Sequence, residues 1–504
     1  MTVRPAMSAR GVPLAGVGQI AVAVLLVLLV LVVGALSAVA PPAAAALGIG
    51  GIAIVIGFVL PLPWLLVTTL FVSAVFSGSV EYFLGVSQAN WIPFVLAGFV
   101  AVRAILESGF GLQTRAFGRS MNPAGLPFFA WPALIYLSLV IASAAANLIP
   151  VAQALAAFKN YLLMWGVLVA FFCMGNVGRT STWLWRSVVI VAILQLPVVL
   201  YQRIFIAGRL GNTASSLGFD AINGTFGGGI LGGRSGALVM FTCIALAYLL
   251  ILWRERRISG IRMAGLSLLM LPTLFIVEVK AVIFWLPAVA FIVFFAQIRR
   301  RPFLFLIGVA CSLLLVLGVI AAYRFSYYAP AGDQTLATFF SRDLAYMWDP
   351  ERYNPATREM GRVSVLVHWW NETSVTDLAR WLFGYGPGAS RGTSSVAVGS
   401  IAGKYPFFID ISAAAMLVWD LGVAGLISFC SILMFGAVSA LRLKRMDRLP
   451  TALRIELEAA MVGLLLILSS VIYVRDVIDG TTIQFMLFFL LGLVIHGNRQ
   501  ALRK

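Results

Sequence analysis

Histidine and charge are what this sequence has least of. Only 2 of its 504 residues are His, and only 11% are Asp, Glu, Lys or Arg. So little charge excludes an ordinary solvated globule, in which about a quarter of the residues are charged. No Asp-x-Asp pair occurs, and no His or carboxylate cluster has the spacing of a metal site, so no obligatory metal is expected. The 4 cysteines (Cys173, Cys243, Cys311, Cys430) all fall within apolar runs and read as packing residues. A Walker sequence, a soluble nucleotide-binding domain and an internal repeat are all missing, so no cofactor is expected and the duplication common in transporters is not evident.

What is abundant is apolar residues, 61% of the chain. Runs at 17–40, 126–147, 182–206, 303–323 and 481–496 approach or exceed the roughly 20 residues that a spanning helix needs. The first is too long for a signal-peptide core and leads through Pro41-Pro42 into another apolar run, so it reads as a retained helix. The net charge of +17 would suggest nucleic acid in a soluble protein. Here the basic residues cluster in short connections between apolar runs, as cytoplasmic loops do, and no nucleic-acid partner is expected.

Placing all the basic clusters in the cytoplasm orients about fourteen spans with both termini inside. They lie at 17–40, 43–60, 62–80, 91–106, 126–147, 152–174, 183–206, 227–252, 262–277, 279–297, 303–323, 411–441, 455–473 and 481–497. Only Pro61-Leu62-Pro63 separates the second from the third, so twelve is the other possible count. The expected fold is an all-α polytopic helix bundle. It divides into N-terminal transmembrane helices (1–323), a large, partly helical extracytoplasmic loop (324–410) and C-terminal transmembrane helices (411–504).

That loop concentrates the polar chemistry: 7 Arg, 1 Lys, 8 Asp or Glu and His368. Asn354-Pro355 predicts a helix start, with Asn as cap and Pro in the first turn, running to Asn371. Ser374 or Thr376 would cap a second short helix ending at Trp381. The Gly-Tyr-Gly-Pro-Gly turn at 384–388 follows, and Gly384, Gly386 and Gly388 give it the freedom to turn sharply. Trp348, Trp369, Trp370 and Trp381 predict that the loop lies at the membrane surface.

Arginine grips phosphate through a planar, permanently charged fork. Outward-facing candidates are Arg203 and Arg209 after the seventh span, Arg234 at the eighth, and Arg358, Arg362, Arg380 and Arg391 in the loop. The competing reading is that these arginines pair with the loop acids. Lys280 stands between two apolar stretches with Glu278 two residues away, a costly position that calls for a partner or a function. Candidate bases are His368 and Asp410, with Asp349 and Glu351 as rivals. The glycines at 224–229, followed by Gly232-Gly233-Arg234-Ser235, can cradle an anion or let helices pack closely.

Taken in order, these features resemble the superfamily of O-antigen ligases and Wzy-type polysaccharide polymerases. The likeness rests on Gly-Thr-Phe-Gly-Gly-Gly at 224–229, Glu-Val-Lys-Ala at 278–281, Leu-Phe-Gly-Tyr-Gly-Pro-Gly at 382–388 and Asp-Leu-Gly-Val-Ala-Gly at 420–425. It covers roughly residues 150–430. The resemblance implies a GT-C-like membrane glycosyltransferase acting on undecaprenyl-diphosphate-linked glycans outside a bacterial inner membrane. Polymerisation of repeats into exopolysaccharide, capsule or O-antigen is the expected activity. Its implied partners are that glycan, the lipid bilayer, and flippase and chain-length regulator proteins. The ligases carry His, then Asn, Ser or Gln, then nine residues and Gly-x-x-Gly. Here Ser412 fits the second place and Ile411 fills the histidine's, which favours a polymerase over a ligase. Lys280 matches, by position, an arginine the ligases place near the diphosphate, and Arg203, Arg209 or Arg234 matches another. Arg358 and Arg362 complete the expected diphosphate-binding set, with His368 or Asp410 as the base. Ligase-type transfer to a lipid or protein acceptor, a flippase for lipid-linked sugars and a non-catalytic assembly partner are the alternatives.

Overall fold

The computed structural model describes residues 57, 60–110, 126–175, 177–207, 221–229, 232–277, 279–323, 349, 353–354, 358–373, 377–392 and 397–502. The chain divides into two compact units, Met1–Leu65 and Leu66–Lys504. The second unit holds the site described below. The expected span at 17–40 lies outside the described residues, as does all of that at 43–60 except Gly57 and Leu60.

Helices occupy every other expected span. They are α1 (Leu62–Leu84), α2 (Trp91–Phe110), α3 (Ala130–Ala146), the bent pair α4 (Val151–Tyr161) and α5 (Trp165–Cys173), and α6 (Gly178–Tyr201). A two-residue ladder, β1 (Gly228–Gly229) with β2 (Gly232–Gly233), precedes α7 (Ser235–Arg254). Then come α8 (Gly260–Ile276), α9 (Val282–Arg300) and α10 (Pro302–Tyr323). The polar segment contributes the ladder β3 (Tyr353–Asn354) with β4 (Glu359–Met360), then α11 (Arg362–Glu372) and α12 (Leu378–Phe383). The chain closes with α13 (Ala413–Lys444), α14 (Thr451–Ser470), the single turn α15 (Asp476–Asp479) and α16 (Thr481–Leu502). Among the described residues, 7 helices are long and apolar enough to cross a membrane, or 8 if the bent pair counts as one span. The protein is thus a multi-pass α-helical membrane protein.

Two departures from regular helix position the site. In α1, residues Val72–Phe76 form a π-helical segment, which widens the hydrogen-bond ladder and releases carbonyls. The Ala74 carbonyl accepts from Thr225 Oγ1 at 2.6 Å, and that of Ser73 from Thr481 and Thr482 at 3.1 and 3.0 Å. One segment of α1 thus holds both the glycine stretch and the start of α16. In α13 the helix breaks at Gly422, whose φ is +67°. A Cβ there would collide with the Leu382 carbonyl at the end of α12.

The break in α13 is where the glycine turn docks. The Tyr385 and Gly386 amides donate to the Trp419 and Asp420 carbonyls at 2.9 and 3.0 Å. The buried Asp420 carboxylate accepts from the Gly388 amide (2.6 Å), the Ser390 amide (2.8 Å) and the Tyr161 hydroxyl (2.7 Å). Gly384, Gly386 and Gly388 all have positive φ, as the sequence predicts for this turn. Two motifs nearly 40 residues apart are therefore one joint, with a buried carboxylate satisfied by three donors.

The polar segment differs from the sequence expectation in detail. Pro355 lies outside the described residues, and the helix begins at Arg362. Asn354 instead pairs with Glu359 in a hairpin whose return leaves Arg358 left-handed, at φ +58°. Backbone pairing across that hairpin overrides the local Asn-Pro signal. The short helix is α12, capped by Asp377, whose side chain accepts from the Arg380 amide, and it continues past Trp381 to Phe383. Ser374 and Thr376 lie outside the described residues. Val365, Trp369, Ala389, Ile401 and Ile409 form a core with Ala415, Val418 and Trp419 of α13. The segment is therefore packed onto a span instead of hanging from it.

Candidate functional site

Beneath the polar segment, charged side chains from six separate stretches of chain meet. Arg234, which precedes α7, has Nε 3.4 Å from Asp476 and Nη2 4.0 Å from Glu81 of α1. Its Nη1 also donates to Asn90 Oδ1 at 3.2 Å. Arg391 reaches Asp479 at 3.4 Å; Arg475 reaches Asp479 at 3.2 Å and Asp410 at 3.3 Å. Lys159 of α4 lies in the electrostatic field of Arg391, Arg234, Asp479 and Glu81, with its ammonium 5.3 Å from the Trp91 ring centre.

Local sequence explains how these groups are held. Gln195 on α6 and Gln202, which opens the π-helical segment Gln202–Ile206 that continues it, are about two turns apart and face the same way. Gln202 Oε1 accepts from the Asn223 and Gly224 amides at 3.0 and 2.7 Å, while Gln195 holds the Thr225 amide at 2.9 Å. The next turn then wraps Glu81. The Gly228 amide donates to Glu81 Oε2 at 3.0 Å, and a Cβ at Gly227, where φ is +95°, would strike that carboxylate. The glycine stretch thus fixes Glu81 and delivers Arg234 immediately after it.

Burial makes the cluster electrostatically uneven. Burial pushes Asp476 up to about 7, an effect that the Arg234 guanidinium only partly offsets. Burial also acts on Asp479, but Arg475 and Arg391 outweigh it and hold that carboxyl below the usual aspartate value. A split of this kind between neighbouring carboxyls is the usual way one site keeps one acid neutral and one ionised. Three buried atoms of the cluster make no hydrogen bond: Arg391 Nη1, Asp410 Oδ1 and Asp479 Oδ1. Unsatisfied buried polar atoms are costly, and each of these three can take a further partner.

Arg234, Arg391 and Asp410 are the sequence candidates that enter this cluster. Arg203 stands in the π-helical end of α6 and Lys280 in the turn before α9. Neither takes part in the ion pairs that build the cluster among the described residues. Arg209 and Glu278 lie outside those residues. Arg362 donates to the Ile411 carbonyl at 2.8 Å, next to Asp410. Arg358 donates to the Pro406 carbonyl at 2.8 Å and covers the Phe408 ring. His368 stands edge-on to Tyr405 and Phe407, with ring centres 5.0 and 5.1 Å away. Burial in that aromatic surround lowers its pKa, a shift Glu372 opposes, and leaves its Nε2 without a hydrogen-bond partner.

Lys159, Glu81, Arg475, Asp476 and Asp479 were not singled out by sequence reasoning. A signal existed for each of two groups. Lys159 interrupts an apolar run, as Lys280 does, and Arg-Asp-x-x-Asp at 475–479 sits between two spans. No protein-family model matches the sequence, and no curated protein matches it either.

Proposed function

We propose that the protein is a membrane glycosyltransferase that polymerises undecaprenyl-diphosphate-linked oligosaccharide repeats. The observation that carries this reading is the convergence of Lys159, Arg234, Arg391 and Arg475 under the polar segment, with unsatisfied polar atoms among them. Four cations at the end of a membrane bundle suit a lipid diphosphate, whose headgroup needs charge and whose tail needs apolar helix surface. The resemblance to polysaccharide polymerases points to the same substrate class.

In this mechanism the acceptor hydroxyl oxygen bonds to the anomeric carbon of the donor chain. Its proton passes to a carboxylate, and the bond from that carbon to the diphosphate breaks with its electron pair on the phosphate oxygen. The cations stabilise the charge that develops there, which is the largest contribution in reactions of this kind. Asp410 is the base that the geometry favours, because it belongs to the cluster and keeps one oxygen unpaired. His368 is held among aromatic rings and serves to position them. The carboxylates pair with the cations when no substrate is bound, and the diphosphate displaces them.

The test is purified protein in lipid, given a synthetic diphospholipid-linked repeat, with products sized on a gel. A ladder of long products supports polymerisation. A single transfer to another lipid or a protein supports the ligase alternative. Movement of the substrate across the bilayer without transfer supports a flippase.

A further inference from the structure

A second feature lies one residue away from the charge cluster, on two strands of chain. A cavity of about 160 Å³ opens between the 390–392 turn and the 398–409 stretch. Its walls include Tyr405, Phe407, Phe408, Arg358, Ser390 and Ile409. A cavity of about 150 Å³ takes up benzene, so this one is on the scale of a single six-membered ring and far below that of a lipid.

The lining has the two properties that a pyranose demands. A sugar ring presents apolar C–H faces and a rim of hydroxyls, so it needs flat aromatic surface beside a few hydrogen-bonding groups. Three aromatic rings supply the surface, and His368 braces Tyr405 and Phe407 from behind at 5.0 and 5.1 Å. Arg358 supplies the rim. It lines the cavity, it is exposed, and its Nε is fixed on the Pro406 carbonyl at 2.8 Å. The Ser390 amide is locked to Asp420 at 2.8 Å, which fixes the backbone of one wall.

Chain connectivity ties this cavity to the cations. Ser390 precedes Arg391, and Ile409 precedes Asp410. Adjacent residues are about 3.8 Å apart at their Cα atoms. A ring in the cavity is therefore separated from the charge cluster by the Asp410 side of the wall, which is the relation an acceptor sugar needs to its base and to the donor diphosphate. We propose that this cavity is the subsite for one pyranose ring of the acceptor glycan. The inference rests on the glycosyltransferase reading and adds to it the part of the site that recognises sugar.

The probe is a panel of methyl pyranosides of glucose, galactose, mannose, rhamnose, N-acetylglucosamine and glucuronic acid. Binding to the full-length protein in nanodiscs is read by saturation-transfer NMR. At least one member should bind, and Phe407→Leu should weaken it about tenfold, as loss of one aromatic face does. Phe407→Tyr should restore binding, and Arg358→Gln should weaken it without changing thermal unfolding. Arg391→Gln should leave pyranoside binding intact while reducing binding of undecaprenyl diphosphate. Binding by no pyranoside, or binding indifferent to both Phe407→Leu and Arg358→Gln, overturns the proposal even where the diphospholipid still binds. Loss of diphospholipid recognition alone would instead sink the polymerase reading and leave the sugar subsite standing. If the cavity serves the donor chain, a diphospholipid-linked repeat will compete with the pyranoside in the absence of acceptor, and the acceptor assignment falls.

Discussion

The two ends of the helix bundle handle buried charge in opposite ways. At the end away from the polar segment, Glu458 of α14 takes Arg254 of α7 and Lys444 of α13, each at 2.5 Å. Arg254 also bonds Glu255 at 2.9 Å and donates to the Val293 carbonyl. Every contact is short, and three helices are locked together. At the loop end the ion pairs run from 3.2 to 4.0 Å, and three buried polar atoms have no hydrogen bond. Charge-assisted bonds between fixed partners normally settle near 2.7–2.9 Å. The contrast separates a permanent clasp from a set of partners arranged to be exchanged, and the loop end is where a ligand can replace a carboxylate.

The clasp gives the largest expected effect. Glu458→Ala removes the carboxylate that Arg254 and Lys444 share, leaving Arg254 only its more exposed partner Glu255, and should cost about 3–5 kcal/mol in reversible unfolding in detergent. A smaller loss there than from any loop-end variant would reverse the comparison. Next comes turnover: Arg234→Gln or Arg391→Gln should lower polymer formation about 10²–10³-fold while the unfolding midpoint stays close to that of the parent. Equal losses of stability and turnover would make the loop end a second clasp. Asp410→Asn should act on turnover by a similar factor, whereas His368→Phe should cost under about tenfold.

The joint between turn and span comes third. Gly384→Ala puts a methyl group against the Asp420 carbonyl at a residue with φ +69°. A left-handed alanine together with overpacking should destabilise by about 2–4 kcal/mol in the polar segment alone, read as faster hydrogen exchange in 362–392. Unchanged exchange there would show that the turn is not docked.

The smallest effect is on pH. Asp476 is raised in the folded protein, so the fold binds a proton that the unfolded chain releases. Its contribution is complete below the ordinary aspartate pKa of 3.8 and is lost as pH rises through about 7. Asp479, held low, gains its contribution above its unfolded value and loses it only as pH falls further, so the two windows do not overlap. Unfolding midpoints should therefore fall between about pH 4 and 7 in the parent, and Asp476→Asn should flatten that slope. An unchanged slope in the variant places the titration elsewhere.

Much of the fold was legible in the sequence because a spanning helix is a local property. A run of about 20 apolar residues declares itself without reference to the rest of the chain. The glycine turn at 384–388 was equally visible, since positive φ is a demand on one residue at a time. The site was only half legible. Arg234, Arg391 and Asp410 stood out in the sequence, but their partners come from residues 81, 159 and 475–479, which meet only through tertiary packing. Lys159 was passed over because one lysine barely lowers the apolar average of a long run. The Asn354-Pro355 helix start failed for the opposite reason, a strong local signal overruled by hairpin pairing.

The most direct measurement is equilibrium binding of undecaprenyl diphosphate to the protein in lipid nanodiscs. It compares the parent with Arg391→Gln at the loop end and with Arg442→Gln at the opposite end. Exchange of ion pairs at the loop end requires affinity to fall about tenfold or more in the first variant and to stay unchanged in the second. Equal affinity in all three proteins, or a loss confined to Arg442→Gln, would contradict it.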